Sequence, residues 1–302
     1  MCTVFSPKWP TRSHRTATVA EYTAGVKEDN ISPWSQSAPY WEKHRENIRK
    51  MFSPITTALT SDARIKPSHA VLDVATGPGE PALSIAELVG PNGEVWGIDP
   101  ASEMVAAALR AAANREFRNV HFEVASADHL PFKSDTFDAA VSRFGVMFFP
   151  SPVDGLREML RVLKPDGSAA VAVWHFAERN PFHYVWSRVI DRYAKPVPTE
   201  PDAPDAFRFA NPGKLLEVLE RAGAIEASER LLQFKIEAPV SVEDFWVLRS
   251  EMSEKLRSKL AALSPQQMAE IKSQVIAEAR RYSTDYGMSF PAEVLIVSGK
   301  KK

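Results

Sequence analysis

The sequence is poor in cysteine, in long apolar runs and in excess charge of either sign. Cys2 is its single cysteine, so neither an intrachain disulfide nor a cysteine-cluster metal site can form. No apolar run approaches the roughly 18 residues that a membrane span needs. None near the start is typical of a signal peptide. We therefore expect a cytoplasmic protein without a membrane span and without a bound metal.

The charges nearly cancel, with 37 Lys and Arg against 38 Asp and Glu. A protein dedicated to nucleic acid needs a surplus of basic residues to displace phosphate counterions. We therefore expect a small-molecule partner and no nucleic acid. The share of apolar residues, 44%, excludes a disordered chain. Nothing in the sequence indicates an oligomeric state.

Short β-rich runs alternate with helical patterns in the middle of the chain. Strands are predicted at 71–74 and 94–98, and the helices that follow them at 81–89 and 102–113. Such βαβ units build a parallel sheet with helices on both faces. The predicted fold class is therefore α/β, a doubly wound, mostly parallel, seven-stranded, Rossmann-like sheet with helical cap insertions.

Two regions interrupt or precede this alternation. Residues 1–66 predict a loose arm followed by a helical lid, because apolar residues recur at helical spacing from Trp34 onwards. Residues 67–302 form the second predicted unit, the ligand-binding domain. Its sheet is interrupted at about 175–210 and 241–290, and both segments follow strands. We expect them to cap the ligand end of the sheet.

The most informative motif is a glycine turn between the first strand and its helix. Gly77 and Gly79 leave the backbone bare, so that a ligand can approach the peptide groups. Asp99 ends the next strand, where an acid can accept hydrogen bonds from a ribose diol. The segment from Gly77 to Ala82 also fits the dinucleotide pattern G-x-G-x-x-A. An NAD-dependent oxidoreductase therefore stands as one interpretation.

Five linked segments resemble the class I S-adenosylmethionine-dependent methyltransferases, in particular the small-molecule group that includes the quinone-biosynthesis C-methyltransferases. The resemblance covers roughly residues 70–175, and five signals in order are far more specific than one glycine loop. Ala75 departs from the family, which has a glycine there. The matching segments are Asp73-Val-Ala-Thr-Gly-Pro-Gly79, Gly97-Ile-Asp99, Ala127-Asp128-His-Leu-Pro-Phe132, Phe137-Asp-Ala-Ala-Val-Ser-Arg-Phe144 and Arg161-Val-Leu-Lys-Pro-Asp-Gly167.

The resemblance implies that S-adenosylmethionine is the cofactor and that the acid of Asp128 receives its adenine amino group. This donor carries a sulfonium cation and no phosphate, so its site needs carboxylates and aromatic faces. Glu80, by contrast, stands where a pyrophosphate would bind. The predicted cofactor-binding residues are Asp73, Ala75, Thr76, Gly77, Gly79, Asp99, Pro100, Met104, Ala127, Asp128, Ser142 and Phe144.

Other roles stay open for several of these residues. Asp73 could instead accept hydrogen bonds from backbone amides of the glycine loop. The candidate catalytic residues are His175 and His183 as general bases and Arg143 as a group that orients an anionic substrate. A lone histidine is more often an ordinary hydrogen-bonded residue. Alignment of the reactants alone can supply roughly 7–11 kcal/mol, so a strong base is not essential.

The predicted function is methyl transfer from S-adenosylmethionine to O, N or C of a small, partly apolar acceptor. The apolar character follows from the aromatic residues of the first cap segment, among them Trp174, Phe182 and Phe207. Two other classes of function stay open. One is the NAD-dependent oxidoreductase, and the other is a module that binds S-adenosylmethionine without catalysis.

Overall fold

The computed structural model describes residues 28–193, 200 and 202–302, whose strands assemble into a single mixed sheet. The predicted arm spans residues 1–30. Its residues 1–27 lie outside the described residues, as does part of the first cap segment, and residues 28–30 begin a helix. The strands are β1 (Ala70–Val74), β2 (Glu94–Asp99), β3 (Val120–Val124), β4 (Phe137–Arg143), β5 (Leu163–Trp174), β6 (Ile225–Ala238), β7 (Ser283–Thr284) and β8 (Gly287–Lys300).

The strand order is β3-β2-β1-β4-β5-β8-β6, with β7 paired to β8 beside this path. Strands β1 to β5 pair in parallel, whereas β8 runs antiparallel to both β5 and β6. This arrangement confirms the predicted α/β fold with a mostly parallel sheet. The described chain has eight strands, one more than predicted. The additional strand, β7, is only two residues long, which is too short to produce a recognisable alternation in the sequence.

The helices connect the strands and cover the sheet. All five residues of β1 are buried, as expected for a parallel strand covered on both faces. Helix α5 (Ser102–Asn114) extends one residue beyond its predicted end. The helices are α1 (Glu28–Lys43), α2 (Arg45–Met51), α3 (Ser53–Asp62), α4 (Ala82–Val89), α5 (Ser102–Asn114), α6 (Pro152–Val162), α7 (Pro181–Ile190), α8 (Lys214–Arg221), α9 (Val242–Met252), α10 (Glu254–Ala261) and α11 (Pro265–Ala279).

The segment between α6 and the body of β5 bulges out of the sheet. Residues 164–167 lie opposite Asp138, where the register of β4 and β5 shifts. Asp166 has a φ of 61°, and Lys164 Nζ is 2.6 Å from Asp138 Oδ1. The proline and glycine of this segment therefore form a structural bulge that starts β5.

The N-terminal helices pack over one end of the sheet together with the second cap segment. Helix α1 contacts α5, α9 and α10. The indole Nε1 of Trp41 donates to the carbonyl of Met252 at 3.1 Å, and this bond ties α1 to the end of α9. Ser253 separates α9 from α10 and caps α10 through its hydroxyl. Among the described residues, we find no helix with the length and apolar character needed to cross a bilayer.

Candidate active site

A cavity of about 440 Å³ opens at the carboxyl ends of β1, β2, β4 and β5. Its volume lies in the range of about 300–1,000 Å³ that is typical of small-molecule sites. One half is formed by the glycine loop after β1 and by the end of β2. The other half is lined by aromatic side chains from β4, β5, α1 and α7. A ligand in the first half would therefore face an apolar compartment.

The glycine loop adopts left-handed backbone angles at three positions. The φ angles are 59° at Ala75, 56° at Gly77 and 106° at Gly79. Gly77 lines the cavity together with Ala75 and Thr76. Gly79 faces helix α5 instead, and a Cβ there would lie 3.2 Å from the Cβ of Ala108. Gly77 therefore leaves room for a ligand, whereas Gly79 lets the loop pack closely on α5.

Asp73 lies beneath this loop and does not line the cavity. Its Oδ2 accepts hydrogen bonds from Thr76 Oγ1 at 2.6 Å and from the Ala82 amide at 3.0 Å. Burial raises the pKa of Asp73 to about 7. The contacts match the alternative role, in which this acid supports the shape of the loop.

Asp99 does line the cavity, although its carboxylate is almost fully buried. Its Oδ1 accepts from the Ala101 amide and its Oδ2 from the Gly77 amide, both at 3.0 Å. Burial raises the pKa of Asp99 to about 6. Because each carboxylate oxygen can accept a second hydrogen bond, Asp99 keeps acceptor capacity for a ligand diol. Pro100 and Met104, which follow it, line the same wall.

Only part of the loop after β3 lines the cavity, whereas the sequence predicts that both Ala127 and Asp128 bind the cofactor. Ala127 and Ser126 line the cavity and are buried. The half-buried Asp128 does not line it, and its carboxylate accepts from the Ser126 hydroxyl. The expected contact between Asp128 and an adenine amino group therefore stays a prediction.

The aromatic half is organised around Phe144, the residue directly after β4. Its φ of 63° is an outlier for a bulky side chain. The ring stacks on Trp174 with centroids 4.2 Å apart and an interplanar angle of 10°. Across the cavity, Trp34 meets Phe148 edge to face at 4.9 Å. The buried Ser142, just before this turn, does not line the cavity.

Two of the three candidate catalytic residues reach the cavity. Arg143 donates to Thr56 Oγ1 at 2.9 Å and to the Glu80 carbonyl at 3.0 Å. His183 lines the aromatic half, where burial and the charge of Arg249 lower its pKa well below the usual range. Its ring is therefore neutral at pH 7. His175 does not line the cavity, and its Nδ1 lies 2.8 Å from Glu293 Oε2.

Sequence reasoning missed Arg249 in α9. It lines the cavity beside His183 and is 8% exposed. Its position in the helix could have indicated burial. Arg249 follows Phe245 by four residues and precedes Met252 by three, and both of these residues are buried. A cation on the apolar stripe of a helix is the feature that could have marked it.

Residues 71–167 match the family described as "Methyltransferase domain". This match identifies residues 71–167 as a methyltransferase domain, and the strand order and the glycine loop fit the class I, S-adenosylmethionine-dependent group. The cavity fits this cofactor, because Asp99 and Gly77 form a wall for a nucleoside. At the start of α4, where a pyrophosphate would bind, the chain instead has the buried Glu80, whose carboxylate accepts from Ser84 at 2.6 Å.

The similarity extends to particular proteins. The chain is 36% identical over 118 residues to the ubiquinone/menaquinone biosynthesis C-methyltransferase UbiE of Geobacter sulfurreducens, covering 39% of this chain and 46% of that one. It is 35% identical over 152 residues to the uncharacterized methyltransferase YcgJ of Bacillus subtilis, covering 50% and 57%. The crystal structure of YcgJ superposes with a TM-score of 0.52 at 19% identity, over 83% and 98% of the two chains. The chain thus spans about half the length of the curated relatives it matches.

Proposed function

We propose that this protein transfers the methyl group of S-adenosylmethionine to O, N or C of a small, partly apolar acceptor. The observation that carries the proposal is a single cavity that joins a nucleoside wall, formed by Gly77 and Asp99, to an aromatic compartment. Binding both reactants in one cavity aligns acceptor and donor. Such alignment can lower the barrier by roughly 7–11 kcal/mol.

The residues of the first half would hold the donor. Asp99 would accept hydrogen bonds from the ribose hydroxyls, Gly77 would let the ligand approach the backbone, and Ala127 would offer apolar surface to the adenine. Asp73 keeps the loop in shape from below. When bound, the cofactor supplies an electrophilic methyl group on a sulfonium cation. The faces of Phe144 and Trp34 lie on the same cavity, and a cation over an aromatic ring is stabilised by roughly 0.5–2 kcal/mol.

The second half holds the acceptor and excludes water. Phe144, Trp174 and Phe182 present apolar surface there, which favours an acceptor with an aromatic or aliphatic body. His183 is neutral and its Nδ1 receives a long hydrogen bond from Arg249, so it is a weak base. We therefore assign the main catalytic effect to alignment, with Arg143 fixing the junction between the two halves.

The names of several relatives refer to quinone biosynthesis. A quinone ring with an apolar chain belongs to the kind of acceptor that this aromatic compartment favours. The chain covers only about half of those relatives, so the proposal stops at the class of acceptor.

The first test of the proposal is a comparison of ligands in a thermal-shift experiment on the full chain. S-adenosylhomocysteine is expected to raise the melting temperature, and NAD is expected to leave it unchanged. A second assay incubates the protein with methyl-labelled S-adenosylmethionine and fractions of a metabolite extract. Label in an extracted product supports transfer. Stabilisation by NAD alone would overturn the assignment of S-adenosylmethionine as the cofactor. Binding of S-adenosylhomocysteine without any labelled product would favour a module that binds the donor without catalysis.

A further inference from the structure

Arg249 is a buried cation on the wall of the acceptor half. Its guanidinium carbon lies 4.4 Å from the centroid of the Phe182 ring. Among the described residues, its single side-chain hydrogen bond is a long one, 3.4 Å, to Nδ1 of His183. The buried Nε finds no hydrogen-bond partner in the described part of the chain. A group with five donors thus makes one weak hydrogen bond.

Arg249 also has no counter-ion in the part of the chain that the structure describes. No carboxylate of the described ranges lies within ion-pair distance of it, whereas Lys255, on the same cavity, pairs with Asp205 at 2.8 Å. The other two arginines of the cavity wall are better satisfied. Arg45 donates to the carbonyls of Pro78 and Ala107, and Arg143 has the two partners given above.

Packing alone does not account for this arrangement. Removing an ion from water costs several kcal/mol, and the contact with an aromatic ring returns roughly 0.5–2 kcal/mol. Burial lowers the pKa of Arg249 to about 10, so the side chain stays charged at pH 7. The charge is therefore maintained at a cost, on the wall of a cavity, with no negative partner among the described residues.

We propose that the methyl acceptor carries a carboxylate that pairs with Arg249, while its apolar body lies among Phe144, Trp174 and Phe182. This inference rests on the proposed function, because it describes the acceptor of that same site. A planar carboxylate can receive two parallel hydrogen bonds from a guanidinium. Neutral His183 fits the same role, since it accepts from Arg249 and adds no positive charge beside it.

The test uses carboxylates and their neutral primary amides as matched probes. Benzoate, indole-3-acetate and octanoate, each with its amide, are titrated into the full chain saturated with S-adenosylhomocysteine, and the affinities are measured by calorimetry. We expect at least one acid to bind, and to bind at least tenfold more tightly than its amide. Arg249→Gln should abolish this preference, and Arg249→Lys should retain part of it. Arg188→Gln, at an exposed position of α7, is the matched control and should behave like the parent.

Folding and cofactor binding are monitored separately. Arg249→Met removes the buried charge, so its melting temperature without ligand should equal or exceed that of the parent. Each variant is first titrated with S-adenosylhomocysteine. Failure of the parent to bind it would count against the proposed function. Normal binding of S-adenosylhomocysteine without any preference for the acids, or with a preference that survives Arg249→Gln, would overturn this inference alone.

Discussion

The Asp99 carboxylate reaches from the end of β2 to the amide of Gly77, in the loop after β1, at 3.0 Å. The same carboxylate also accepts from the Ala101 amide. The acid on the cavity wall therefore also fixes the loop that forms the neighbouring part of that wall. Loss of its charge should affect donor binding through both effects.

Asp99→Asn should weaken the binding of S-adenosylhomocysteine by roughly 10- to 100-fold. A hydrogen bond to a charged group contributes about 1.5–3 kcal/mol, and the asparagine retains the size of the side chain. Isothermal titration calorimetry measures the change. The control is Lys164→Ala, whose ammonium pairs with Asp138 in the β4–β5 bulge. Equal affinities for the two variants would contradict the assignment of Asp99.

Donor binding should depend on pH through the carboxylate of Asp99. Its pKa in the free protein is raised to about 6, and only the ionised form can accept hydrogen bonds with both oxygens. The dissociation constant should therefore increase as the pH falls below 6 and level off above 7. Titrations from pH 5 to pH 8 check this, and Asp99→Asn should flatten the profile. A flat profile in the parent would show that binding does not require the ionised acid.

Asp73 should make folding less favourable as the pH rises. The folded state raises its pKa from 3.8 to about 7, so between these values the folded chain holds a proton that the unfolded chain releases. The free energy of unfolding should decrease across that window, and Asp73→Asn should reduce the decrease. Each pKa unit corresponds to about 1.4 kcal/mol.

Urea denaturation at pH 5 and pH 8 measures this effect on the parent, on Asp73→Asn and on Asp285→Asn. Asp285 is exposed, so its substitution should leave the pH dependence as in the parent. The hypothesis fails if the two variants show the same slope with pH.

Ala75→Gly should stabilise the protein by about 1 kcal/mol, because a left-handed conformation costs an L-residue roughly 1–2 kcal/mol. The φ of 59° at Ala75 is accessible to glycine without this cost. Ala107→Gly, within helix α5, should instead lower stability by about 1 kcal/mol. Urea denaturation of both variants provides the comparison. A loss of stability in Ala75→Gly would mean that packing of the methyl group outweighs the backbone strain.

The sequence by itself determined the fold class and the place of the cavity wall that Gly77 and Asp99 form. Adjacent strands of a parallel sheet present their carboxyl ends at one edge, so Gly77 and Asp99 had to meet once β1 and β2 were recognised. Helix α5 could be bounded to within one residue for a similar reason, since its limits depend on local signals. The lid was less predictable. Its helical pattern continues through His44 and Phe52, where the structure has breaks.

Tertiary structure alone decided which side chains share the cavity. Asp73 and Asp99 both belong to strand ends, yet the Asp73 carboxylate supports the loop from below, whereas Asp99 lines the cavity. Arg249 meets His183 across 66 residues of sequence. Helical periodicity shows that a face is buried, but not which element covers it. That choice depends on how α7 and α9 pack over the sheet, a property of the whole folded chain.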